Sequence, residues 1–181
     1  MATWRWMVAV AICVAGLAIG TAQGADARIG AFAGSYQGSG VADGRDSVYF
    51  TITARDLDVT IKPDGGGFEI SWTTVIHNGG PSSRPQRKSE KVVFVAADPK
   101  KPNIFRAATP GDPMAGQPYY WARITGQTLI VYALSVAPNG GYDLSSWSRT
   151  LTPSGMELVF RRQRDGEGTR VVKGKLAKLG Q

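Results

Sequence analysis

From residue 25 onward the apolar positions of the chain alternate with polar ones, and no stretch repeats them at helical spacing. The alternation comes in short runs separated by Gly, Pro, Asn and Asp, which predicts strands joined by turns. The first run, 32–41, is rich in glycine. In 47–53, Val48, Phe50 and Ile52 share a face. Leu57, Val59 and Ile61 share the next, with Asp56, Asp58, Thr60 and Lys62 opposite. The apolar parity thus passes from even to odd, which predicts a bulge or turn within 54–56.

A hairpin follows. Pro63-Asp64-Gly65-Gly66-Gly67 separates 57–62 from 68–76, where Phe68, Ile70, Trp72 and Ile76 point one way. Residues 77–86 read as a loop. The run 91–97 is apolar on both faces, as in a covered strand. A short strand is expected within 103–108. The proline-rich stretch 109–118 reads as an ordered loop over one end of the sheet. Strands 119–124 and 128–136 flank Thr125-Gly126-Gln127, and 142–151 and 156–162 follow. Residues 169–176 form a last strand or a frayed tail.

The fold class is therefore all-β: an antiparallel meander of roughly eight to ten strands with short connections. Closing such a sheet into a barrel removes its two open edges. A two-sheet β-sandwich is the alternative, because the same alternation serves both.

Residues 1–24 have a different pattern. Arg5 precedes the apolar run 7–19, and Gly20-Thr21-Ala22-Gln23-Gly24 closes it with small and polar residues. This is the layout of a signal peptide, and the apolar run is short for a membrane span. The expectation is an exported protein, periplasmic or secreted, with no transmembrane anchor after cleavage. Residues 25–181 then form a single barrel domain with a basic C-terminal tail. Cys13 is the only cysteine and lies in the signal, so the domain is held by its core without a disulfide.

The net charge is +7. Arg161, Arg162, Arg164, Arg170, Lys173, Lys175 and Lys178 crowd the end of the chain, and Arg84, Arg87, Lys88 and Lys91 form a second group. In an envelope compartment such a surface meets anionic lipids or polysaccharides. Export takes the chain away from nucleic acid.

The opening Phe32-Ala33-Gly34-Ser35-Tyr36-Gln37-Gly38 resembles the first strand of calycin-type barrels, the lipocalins and their relatives. There a Gly-x-Trp begins the strand and a late arginine packs across the tryptophan. Here Gly34-Ser35-Tyr36 carries tyrosine instead, and Arg161 or Arg162 is the candidate closing arginine. The resemblance implies a closed barrel that binds a small, often apolar molecule.

Catalytic chemistry is not visible. His77 is the only histidine and stands at a strand end, and no Gly-x-Ser-x-Gly elbow accompanies it. The chain lacks the ligands for zinc or a calcium loop, and its glycine runs lack the helix and lysine of a phosphate cradle. No cofactor is implied. The aromatics fill the core of a narrow barrel. In a wider one, some of Tyr36, Trp72, Tyr120, Tyr132 and Phe160 line a pocket, and Arg106 and Arg123 are either its placed polar groups or outward residues. The functional expectation is a non-enzymatic barrel binding a small apolar or aromatic ligand in the cell envelope. The alternative is an interaction module that holds anionic polymers or a protein through its basic surface. A membrane-spanning barrel is disfavoured because Asp58, Lys62, Glu69 and Glu157 fall on the faces opposite the apolar ones.

Overall fold

A computed structural model of the chain describes residues 25–43, 53–77 and 84–180. The signal-like segment 1–24, most of the strand expected at 47–53 and most of the loop after His77 lie outside these residues.

A single sheet of antiparallel strands closes on itself. Its members are β1 (Gly34–Asp43), β2 (Thr53–Asp64), β3 (Gly67–His77), β4 (Gln86–Ala96) and β5 (Ile104–Ala107), then β6 (Tyr119–Thr125), β7 (Thr128–Val136), β8 (Tyr142–Thr152), β9 (Gly155–Arg164) and β10 (Glu167–Lys178). Each strand pairs with its sequence neighbour, and β1 pairs with β10. The sandwich alternative falls, because one meander forms the whole wall and leaves no edge. This closed barrel is the architecture that the calycin resemblance implies.

Closure depends on small residues at the seam. Tyr36 faces Lys178 and Gly38 faces Leu176 across β1 and β10. A Cβ on Gly38 would run into the backbone of Lys175 and Leu176, so only glycine lets the two strands approach there. The turns use glycine differently. Gly65 and Gly126 have φ of +55° and +56°, the left-handed backbone that two-residue hairpin loops demand.

Strand parity sorts the side chains into inside and outside. Residues 57, 59 and 61 of β2 point inward, as do 68, 70, 72 and 76 of β3, 92 and 94 of β4, and 129 and 131 of β7. Three expectations change. No bulge or turn occupies 54–56: Ala54, Arg55 and Asp56 pair in unbroken register with His77, Ile76 and Val75. Arg55 simply continues the inward parity of Leu57. The run 91–97 is not covered on both faces. Val93 is 42% exposed while Val92 and Phe94 are buried, as expected for the wall of a barrel with one face toward solvent. The basic C-terminal segment is no tail. It is β10, held between β9 and β1.

One end of the barrel is sealed. A 3-10 turn, Ile29–Phe32, drops Phe32 fully buried onto the core. There Phe68 stacks on Phe94 with ring centroids 4.8 Å apart and meets Phe105 edge-on at 5.1 Å. The segment before the turn is strapped down. Ala27 donates its N–H to Gly126 O at 2.8 Å. Asp26 accepts from Gly126 N at 2.6 Å and from Asn103 Nδ2 at 2.9 Å.

Candidate functional site

The opposite end is built from the end of β1, the start of β2, the end of β3, the start of β4, the start of β8, the end of β9 and the start of β10. Here the inward positions stop being uniformly apolar. A cavity of about 210 Å3, partly open to solvent, lies between them. For scale, roughly 150 Å3 of apolar cavity holds a benzene molecule.

Aromatic rings make one wall. Trp147 of β8 stands between Trp72 of β3 and Phe160 of β9, with centroids 5.2 Å from each. Such tilted contacts hold rings firmly without closing the space beside them. Tyr120 touches Trp72 edge-on at 6.5 Å. Burial and the Glu90 carboxylate push its hydroxyl up to about 12, so it stays a neutral hydrogen-bonding group at physiological pH.

The rest of the lining is strongly cationic. Arg55, Lys88, Arg149, Arg162 and Arg170 contribute to it, against Asp58 and Glu90. Arg162 forms a two-point ion pair with Asp143, Nε to Oδ1 at 2.9 Å and Nη2 to Oδ2 at 2.8 Å, and Arg164 joins at 3.3 Å. The Arg162 hydrogen bond holds the Asp143 carboxyl below its usual range, and Asp143 in turn raises Arg162. Arg55 is lowered, first by burial and then by the charge of Arg170.

Arg149 lies deepest of these cations. On β8 the inward series from the mouth is Ser145, Trp147, Arg149 and Leu151. Arg149 is 1% exposed, its Cζ lies 5.4 Å from the Trp72 centroid, and its Nε and Nη1 meet no hydrogen-bond acceptor among the described residues. Burial pushes it down to about 9, which still leaves it charged at neutral pH.

The residues singled out from sequence divide between three places. Trp72 and Phe160 line the cavity, and Tyr120 packs beside it. Tyr36 does not line it. It is buried at the sealed end, where its hydroxyl donates to Phe32 O at 3.0 Å. Arg106, Arg123 and Tyr132 are on the outer wall. Trp121 and Tyr132 stack there at 4.9 Å, with Arg123 Cζ 6.0 Å from the Tyr132 centroid. The inward places on β5 and β6 go to Phe105, Ala107, Ala122 and Ile124. Because β7 is apolar on both faces, residue size misleads as to which face is inside.

The closing-arginine expectation also changes. Arg161 is exposed on the outer wall, and Arg162 sits at the cavity mouth. β9 starts at the sealed end with Met156 and runs away from it, so neither arginine reaches Tyr36. Lys178 stands over that ring instead, Nζ 5.9 Å from its centroid. His77 is also on the outside, with Nε2 2.7 Å from Asp56 Oδ2 in an exposed pair.

Sequence reasoning missed Trp147, Arg149, Arg55 and Arg170 as site residues. The signal was present in their phase. Arg149 shares parity with Trp147 and Leu151, Arg55 with Leu57 and Val59, and Arg170 with Val172 and Leu176. A charged residue in phase with a strand's apolar face is an inward charge.

No protein-family model matches the chain, and no curated protein matches it. Among solved structures it is similar to the S-type phycobiliprotein lyase CPES from Guillardia theta. The two share 8% identity at a TM-score of 0.38, over 84% of this chain and 91% of that one.

Proposed function

We propose that the chain is an exported barrel that binds a small apolar or aromatic molecule, without chemical turnover, in the cavity beside Trp72, Trp147 and Phe160. The observation that carries this reading is the asymmetry of the interior. One end is sealed by Phe32 and packed with stacked phenylalanines, while the other keeps an aromatic-walled space of about 210 Å3. A barrel needing only a core would fill both ends, since interiors pack to near-crystalline density. Concave, mostly apolar sites with a few placed polar groups are the usual form of small-ligand sites. The signal-like segment 1–24 supports export, and cleavage there would deliver the barrel to the envelope or beyond.

The test is a tryptophan-fluorescence titration of the full chain with fatty acids and aromatic compounds, because Trp72 and Trp147 both report on the cavity. Saturable changes are expected. They should vanish in Ser145→Trp, which places an indole in the cavity mouth. A flat response across the panel overturns the reading.

A second reading draws on the outer wall, where Arg161, Lys173 and Lys175 are all exposed on β9 and β10. That surface suits an anionic envelope polymer or membrane. Co-sedimentation with anionic vesicles that fades with salt supports it, and no binding at low salt removes it.

A further inference from the structure

Arg149 is in an unusual position for a cation. It is buried, it lines a cavity, and two of its guanidinium nitrogens lack any acceptor. Among the described residues no hydrogen bond or ion pair is made to it, and its only close electrostatic neighbour is the face of Trp72. A cation–π contact with one ring face is a modest attraction even in a desolvated place. Burying an unpaired ion costs more than that, even after the protein relaxes. The ring therefore does not account for the charge, and folding alone is better served by an apolar residue there. A charge kept at such a cost is ready for a partner brought from outside.

We propose that the cavity takes a small carboxylate with a flat aromatic or short apolar body, its charged end paired with Arg149 at the bottom. The inference rests on the small-ligand reading above and deepens it by naming the ligand's chemistry. Three features of the site agree. A guanidinium is planar, and a carboxylate matches its donors. The rings of Trp147 and Phe160 stand one inward step nearer the mouth than Arg149, where the body of a ligand entering charge-first would rest. Arg55, Lys88 and Arg170 make the lining positive, which draws anions inward from solution. A neutral ligand of the same shape would leave Arg149 buried and unpaired, so the site discriminates by charge.

The test is calorimetric titration of the full chain with 2-naphthoate and with 2-naphthalenemethanol, which share a ring system and differ in charge. Both are expected to bind, the carboxylate at least about tenfold more tightly. In Arg149→Met the two should bind within about twofold of each other. Lys62→Met, which removes an exposed cation from β2 away from the cavity, should leave the preference unchanged. If Arg149→Met does not fold, Arg149→Gln, polar and neutral, takes its place. Equal binding of acid and alcohol to the unmodified protein overturns the carboxylate inference while the cavity reading stands. A preference that survives loss of Arg149 overturns it in the same way. If neither compound binds and the wider panel is silent, both readings fall together.

Discussion

The Arg149 guanidinium lies 5.4 Å from the centre of the Trp72 ring, and neither Nε nor Nη1 finds an acceptor among the described residues. The two residues sit on β8 and β3, far apart in the chain, and meet only because the sheet curls closed. The pair joins the two halves of the site, its aromatic wall and its charge.

The first consequence concerns stability. Replacing an unpaired buried charge by an apolar side chain of similar length removes a desolvation cost. Arg149→Met should therefore stabilise the unliganded protein by about 1–3 kcal/mol. For a domain of this size that is a rise of several degrees in melting temperature. Thermal unfolding followed by circular dichroism measures it. A fall in melting temperature would mean that Arg149 is satisfied in the unliganded state.

The second concerns pH. Burial holds Arg149 at about 9, below its ordinary value. A lowered cation loses its proton in the folded protein before it does so in the unfolded chain. The destabilisation it causes is thus full at neutral pH and is relieved as pH rises through about 9. Affinity for 2-naphthoate should be flat between pH 6 and 8 and weaken above 9, while 2-naphthalenemethanol shows no such trend. Titrations at pH 7, 8, 9 and 10 check both.

At the sealed end, Asp26 holds two groups, Gly126 N at 2.6 Å and Asn103 Nδ2 at 2.9 Å. Asp26→Ala should cost about 1–2 kcal/mol, the range for hydrogen bonds to a charged acceptor partly open to solvent. Hydrogen exchange at the Gly126 amide should speed up. Ligand binding at the other end should not change, and a loss of affinity would show that the two ends are coupled.

At the seam, a Cβ on Gly38 has nowhere to go except into the backbone of β10. Gly38→Ala should destabilise by about 2 kcal/mol or more, because strands rather than a flexible side chain must shift. Gly65→Ala tests the other use of glycine. It meets open space, so its smaller cost, about 1 kcal/mol, comes from positive φ alone. Urea unfolding of both variants separates crowding from backbone strain.

The sequence by itself determined the all-β class and, among the described residues, most of the strands and the hairpin turns between them. A period of two and a turn residue are local properties, and each acts within a few neighbours. It also determined that Trp72 and Phe160 face inward, because each keeps phase with a clear apolar face. Tertiary structure alone decided the rest. Closure was decided by β10 pairing with β1, a contact between chain ends that no local pattern encodes. The face of Tyr132 was decided by curvature, since β7 is apolar on both sides and its small Ala133 takes the inward place while the larger tyrosine goes out. The direction of β9 put Arg162 at the mouth and left Lys178 over Tyr36. Arg149 became a site residue for the same reason. Its phase was legible, but whether an inward charge meets a partner, a packed core or an open space depends on strands that only the closed barrel brings around it.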